Sequence, residues 1–153
     1  MPESAHIEAA TPADGPRIVA LLAQAGLPTA DLTPAALARF CVARDGDAIV
    51  GAVTVEHYGD NGLLRSLVVA PTQRGRSLGR ALVEAVEQRA RAQGLRSLVL
   101  LTQTAAEFFA ALGYRVVARS AVPEALRNSS QFAGVCPSSA ACMQKQLATP
   151  SDS

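Results

Sequence analysis

Arg74-Gly75-Arg76-Ser77-Leu78-Gly79 lies between an apolar, strand-like run and the most regular helical pattern in the chain. The amino end of a helix carries N–H groups without intrahelical partners and roughly half a positive charge, so it receives phosphate. Gly75, Ser77 and Gly79 are small enough for backbone to approach an anion, and Arg74 and Arg76 add positive charge. Each charge-assisted contact contributes roughly 1.5–3 kcal/mol, so several hold a pyrophosphate. The same residues also suit a tight strand-to-helix connection with solvated arginines, and spacing alone leaves both readings open. There is no G-x-x-x-x-G-K-[ST] loop, and no G-x-G-x-x-G opens an amino-terminal βαβ unit. Arg65 is the other conspicuous residue, because with Ser66 it interrupts the apolar run 63–70. A charge inside such a strand is expensive unless paired. Its guanidinium fork can bind the carboxylate of an amino-acid ligand, or close a structural ion pair with a neighbour such as Glu56.

The elements that must position these residues are legible from periodicity. A short strand is expected at 6–10, followed by a helix that Thr11 caps and Pro12 opens. Its apolar stripe is Ile18, Leu21, Leu22 and Ala25, ending at Gly26. A second short helix after Thr33-Pro34 carries Leu37 and Phe40. Two strands, 41–44 and Ala48–Tyr58, are joined by Asp45-Gly46-Asp47 as a hairpin, and Gly59-Asp60-Asn61-Gly62 marks the next turn. The run 63–70 suits a central strand buried on both faces, ended by Pro71.

The helix expected at 78–93 puts Leu78, Leu82, Ala85, Val86 and Ala90 on one face. Arg80, Glu84, Glu87 and Arg91 fall mostly on the other, with Glu87 and Arg91 in the favourable i,i+4 order. A strand at Ser97–Thr102, a helix at 105–112 stopped by Gly113 and a strand at 114–119 follow. A polar connection from 123 to 139 leads to a last strand at 140–147. Strands alternating with helices in this order give an α/β or α+β fold with a mixed sheet.

Composition narrows the function classes. With 153 residues, 49% hydrophobic and 18% charged, the chain reads as one globular domain over 1–147 with a disordered tail at 148–153. The 14 Lys+Arg against 13 Asp+Glu leave a net charge of +1, which argues against a nucleic-acid binder working through a basic face. Aromatic residues are 4% and Trp is absent, so a base-stacking platform is not expected either. The longest apolar runs, 67–70 and 98–101, fall far short of the roughly 20 residues of a membrane span. Met1-Pro2-Glu3-Ser4 has neither the basic nor the apolar region of a signal peptide, so the expected location is the cytoplasm. Cys41, Cys136 and Cys142 are then expected as reduced thiols. Cys136 and Cys142 can meet if the chain turns at Pro137, which would suit a soft metalloid; small buried apolar residues are the other reading. Without a C-x-x-C pair or clustered His, no metal is expected.

The segment 74–79 resembles the Q/R-x-x-G-x-G/A signature of the GNAT superfamily of acyl-CoA-dependent N-acetyltransferases. Phe108-Phe109-Ala110-Ala111-Leu112-Gly113-Tyr114 is similar to that family's FY-x-x-x-GF segment. Pro123, Gln131-Phe132 and Cys136-Pro137-Ser138-Ser139-Ala140-Ala141-Cys142-Met143 resemble the N-acetyltransferases associated with arsenic-resistance operons. Those are themselves close to the acetyltransferase domain of N-acetylglutamate synthase. The resemblance implies a mixed, mostly antiparallel sheet of six to seven strands, with a central splayed parallel pair and flanking helices. It implies acetyl-CoA as co-substrate, with its pantetheine on backbone groups of Leu67, Val68 and Val69. The pyrophosphate would rest on Arg74, Gly75, Arg76, Ser77, Leu78, Gly79 and Arg80, with Thr102 and Phe108 completing the cofactor site. A bulge before Leu67 would aim a backbone N–H at the thioester oxygen as an oxyanion hole.

Direct attack by an acceptor amine, without an acyl-enzyme, makes positioning the main source of rate. Glu56 and His57 are the candidate bases by chain position, and at most one of them faces the substrate because neighbouring strand residues alternate. Arg65, Ser66, Arg127, Asn128 and Ser129 are the candidate acceptor contacts. Ser77 replaces the family's usual Gly, and Phe109 stands where many relatives carry a proton-donating Tyr; Tyr114 sits at an aromatic core position. The implied acceptor is a small acidic amino acid or a glutamate-mimic toxin such as arsinothricin or phosphinothricin. Acetylation of glutamate itself or of another small amine is the alternative enzyme reading. A non-catalytic acyl-CoA or metalloid-binding sensor is a third, favoured by Phe109 and the thiols. A homodimer is a family-level expectation.

Overall fold

The period-two runs of the sequence form seven strands and the amphipathic stretches five helices in a computed structural model that describes residues 6–27, 29–30, 32–71, 77–102, 105–127 and 140–147. The strands are β1 (His6–Ala9), β2 (Cys41–Asp45), β3 (Ala48–Tyr58), β4 (Asn61–Val69), β5 (Ser97–Thr102), β6 (Arg115–Val116) and β7 (Ala141–Gln146). The helices are α1 (Gly15–Gln24), α2 (Pro34–Leu37), α3 (Leu78–Ala92), α4 (Ala106–Ala111) and α5 (Glu124–Arg127). They build one sheet in the order β1-β2-β3-β4-β5-β7-β6. β4 and β5 are its parallel pair, in register at Asn61–Ser97, Gly62–Leu98 and Leu63–Val99. The pairs β1–β2, β2–β3, β5–β7 and β6–β7 are antiparallel. This is the mixed sheet that the element order predicts, mostly antiparallel and flanked by helices as the resemblance implies.

The chain divides into two compact units, Met1–Val55 with Ser66–Gln88 and Glu56–Arg65 with Arg89–Ser153. In the first, Ile18, Leu21 and Leu22 of α1 form a core with Phe40, Val42, Ala52 and Val68. Burying such side chains supplies roughly 1.5–3 kcal/mol each. Gly51 of β3 permits a close approach: a Cβ there would lie 2.8 Å from Leu82 Cδ1 of α3 and 3.3 Å from the Val68 carbonyl oxygen. An ion network centred on buried Asp14 ties the start of this unit together. Arg44 of β2 grips Asp14 with two nitrogens, at 3.0 and 2.5 Å, and also pairs with Glu8. The Thr11 N–H and hydroxyl donate to the same Asp14 carboxylate at 2.7 and 3.1 Å. Arg44 holds the Asp14 carboxyl well below the usual carboxylate range, against the opposing effect of burial.

In the second unit Leu63, Val99, Val122, Leu126 and Cys142 form the core, joined by half-buried Tyr58, Leu101 and Val117. Phe109 stacks edge-on against Phe108 and Tyr114, with centroids 5.0 and 5.4 Å away. Lys145 Nζ donates to the Leu112 carbonyl at 2.8 Å, at the carboxyl end of α4, where a cation is favoured.

Several elements depart from the pattern. Pro12–Asp14 form a single 3-10 turn before α1, because the Asp14 carboxylate is drawn to Thr11 and Arg44. Phe40 is fully buried but lies beyond α2. The strand expected at 114–119 is only two residues long, since Tyr114 is drawn into the aromatic cluster and Arg119–Ala121 form a 3-10 turn. The expected polar connection contains α5, whose Leu126 is fully buried. Glu87, expected on the solvent face of α3, is 4% exposed; it stands one turn beyond buried Val83 on the same ridge. The i,i+4 pair seen on α3 is Arg80–Glu84, at 3.1 Å. The expected tail at 148–153 lies outside the described residues. Among the described residues, no helix is long and apolar enough to cross a membrane.

Candidate active site

The candidate cofactor residues of the first unit lie on β4 and at the start of α3. Ser66 has φ +63°, a left-handed conformation inside a strand, and therefore breaks the regular pleat immediately before Leu67. Val68 is buried, while Leu67 and Val69 are half-buried. Beyond them the Ala70 N–H donates to the Val50 carbonyl at 2.8 Å, so β4 stays tied to β3 up to its end.

Ser77 stands at the amino end of α3, and its carbonyl accepts from the Ala81 N–H at 3.1 Å. Its φ is also +63°. That angle suits Gly better than Ser, since a left-handed residue with a Cβ costs roughly 1–2 kcal/mol. Ser77 is exposed, Leu78 is buried and Gly79 is half-buried. The first N–H groups of such a 15-residue helix have no acceptor within the helix itself, and the small residues Ser77 and Gly79 stand at that end. Arg80 is exposed, and its Nε is paired with Glu84 at 3.1 Å. Arg74, Gly75 and Arg76 lie outside the described residues.

The second unit holds the charged residues proposed for chemistry. The Arg65 side chain is wholly buried, and its Nη1 donates to Glu56 Oε2 at 3.2 Å. The ion pair anticipated between them is therefore present. Tyr58 donates its hydroxyl to the other carboxylate oxygen, Oε1, at 2.9 Å. His57 is exposed, as the alternation of β3 requires when Glu56 turns inward. Arg127 is exposed, and among the described residues its guanidinium contacts the Val122 carbonyl through Nε at 3.0 Å. Asn128 and Ser129 lie outside the described residues.

Thr102 Oγ1 accepts from the Ala105 N–H at 3.0 Å and so fixes the entry to α4. Phe108 is half-buried, whereas Phe109 is 4% and Tyr114 3% exposed. Cys142 is buried, and burial pushes its thiol up, with the charge of Arg119 opposing. Cys41 is also buried and in no disulfide, and Cys136 lies outside the described residues. Among the described residues, no three His, Cys, Asp or Glu side chains gather as a metal site requires.

Tyr58 is the functional candidate that sequence reasoning missed. The available signal was its spacing: two residues after Glu56 on one strand places both on the same face.

A model of the acetyltransferase (GNAT) domain matches residues 36–116, more than half of the chain and all of β2 to β5. The chain belongs to the GNAT acetyltransferase family. An IAA acetyltransferase of Azospirillum brasilense is 42% identical to this GNAT chain over 66 residues, covering 42% of the chain and 43% of that protein. The chain thus spans less than half the length of that curated relative. N-acetylglutamate synthase from Neisseria gonorrhoeae, solved with coenzyme A and N-acetyl-glutamate, superposes with a TM-score of 0.83 at 20% identity, over 97% of this chain and 36% of that one. A GNAT acetyltransferase from Staphylococcus aureus superposes with a TM-score of 0.78 at 15% identity, over 95% of this chain and 100% of that one. At these identities the likeness establishes the GNAT fold.

Proposed function

We propose that this GNAT chain transfers the acetyl group of acetyl-CoA to the amine of a small acidic amino acid, glutamate or a glutamate mimic of the arsinothricin or phosphinothricin kind. The observation that carries the acetyl-transfer part of the reading is the family match, whose span includes the pleat break at Ser66 and the left-handed Ser77 that opens α3; the acceptor rests on the resemblance of the carboxy-terminal segment alone. The amides of the first turn of α3, which have no acceptor within the helix, and the small residues Ser77 and Gly79 suit a pyrophosphate. The backbone of Leu67, Val68 and Val69 would take the pantetheine, and the Leu67 N–H the thioester oxygen. We place the reaction in the cytoplasm.

Glu56 is the proposed base. It takes one proton from the acceptor ammonium, and the freed lone pair on nitrogen attacks the thioester carbon. The C–N bond forms as the C–S bond breaks; a second N–H proton ends on the departing sulfur, directly or through water, and Glu56 returns its proton to solvent. Phe109 has no proton to offer in this sequence. The raised Cys142 thiol is a poor nucleophile at neutral pH, which favours direct transfer over a cysteinyl intermediate. Because Arg65 is engaged by Glu56, exposed Arg127 is the cation we assign to an acceptor carboxylate, with Asn128 and Ser129 beside it in sequence.

The test is free-thiol release from acetyl-CoA with a panel of acidic amino acids, including L-glutamate and phosphinothricin. Turnover with at least one is expected. Coenzyme A binding without any turnover would favour a non-catalytic acyl-CoA sensor.

A further inference from the structure

The Glu56 carboxylate is gripped at both oxygens by donors of different kinds. Arg65 donates to Oε2 at 3.2 Å and Tyr58 to Oε1 at 2.9 Å. The Arg65 side chain is 0% exposed, whereas that of Glu56 is 26% exposed, so part of the Glu56 side chain meets solvent while its partner does not. An ionised carboxylate offers about four lone-pair sites, so these two contacts leave room for a ligand's N–H. Neither donor is loose. The Tyr58 ring packs with the cluster formed by Leu63, Val99 and Val122, and a tyrosine side chain has few torsions to lose.

We propose that Tyr58 is a positioning residue for acetyl transfer: with Arg65 it fixes the plane of the Glu56 carboxylate that receives the acceptor's proton. The inference rests on the reading of Glu56 as the base. With Arg65 alone, the carboxylate pivots about a single donor and Oε1 is free to swing. With both donors it presents one orientation to the ammonium. Misplacement of a reacting group by about 1 Å costs on the order of 100-fold in rate. Tyr58 keeps its own proton throughout and touches no reacting atom.

Tyr58→Phe retains the ring and removes only the hydroxyl. The expected result is a fall in kcat of roughly 10–100-fold, with KM for acetyl-CoA within about twofold. In a Glu56→Gln background the same substitution should change kcat by less than about twofold, because its effect passes through the carboxylate. Unchanged kcat in Tyr58→Phe, or an equal loss in both backgrounds, overturns the positioning role. Full activity of Glu56→Gln overturns the assignment of the base itself, a different failure. If no acceptor in the acidic amino-acid panel is turned over, both readings fall.

A spectroscopic arm needs no acceptor. The chain has two Tyr and no Trp, and a phenol bonded to a carboxylate fluoresces weakly. Glu56→Gln should brighten tyrosine emission in the native chain and leave it unchanged in Tyr58→Phe. Equal emission in the native chain and Glu56→Gln contradicts the contact on which the proposal stands.

Discussion

Arg65 and Glu56 form an ion pair in which one partner is sealed from solvent and the other is not: Nη1 lies 3.2 Å from Oε2, with side chains 0% and 26% exposed. Removing one member of a fully buried pair costs about 3–5 kcal/mol; here the carboxylate left behind is partly exposed, so the cost falls at the lower end. Arg65→Ala is expected to lower stability by about 3 kcal/mol in urea unfolding, and Arg65→Met by less, because its apolar body refills the site. A loss below about 1 kcal/mol for Arg65→Ala would mean that the pair contributes little to the fold.

Asp14 sets an acid limit on stability. Arg44 lowers its folded-state pKa below the ordinary value of 3.8, so its contribution is fully present above that value and is lost as pH falls through the lowered one. Asp14→Asn should cost about 2–3 kcal/mol at pH 7, and its gap from the native chain should narrow steadily below about pH 4. Urea midpoints measured from pH 7 to pH 2 check both. A gap that stays constant across this range would contradict the assignment.

Ser77 holds a conformation that Gly adopts freely. Ser77→Gly should raise stability by roughly 0.5–1 kcal/mol, the relief of the left-handed strain less the entropy of a glycine in the unfolded chain. Thermal unfolding measures it. A lower midpoint would show that the serine side chain stabilises the turn by more than its strain.

Arg127 tests the acceptor side. Arg127→Ala should raise KM for an acidic acceptor by roughly tenfold, the loss of one charge-assisted contact, and leave KM for acetyl-CoA unchanged. Equal changes in both would return Arg127 to its local role of holding the Val122 carbonyl.

Local periodicity made much of the fold legible. β3 and β5 have the bounds that alternation and turn residues mark, Ala48–Tyr58 and Ser97–Thr102, and α3 starts at Leu78 as its apolar stripe requires. What escaped depends on contacts distant in sequence. Asp14 and Arg44 are 30 positions apart, and neither residue's surroundings announce the other. The strand expected after Gly113 shrank because Tyr114 is better buried against Phe109 than paired at a sheet edge. At the site, Arg65 was conspicuous as a charge in an apolar run, and Glu56 was nameable as its partner. Tyr58 was overlooked because it reads as a strand-forming aromatic, and only the spacing to Glu56 marks it as polar machinery.

The central claim, a coenzyme A diphosphate received at the amino end of α3, is tested most directly by calorimetric titration of coenzyme A into the native chain and into Ser77→Asp. Aspartate tolerates the left-handed angle and suits a helix amino end, so the fold should persist while its charge repels phosphate. The account predicts measurable heat with the native chain, competition by the adenosine diphosphate moiety alone, and affinity at least about tenfold weaker in Ser77→Asp. No heat with the native chain, or equal affinity in the two proteins, would contradict it.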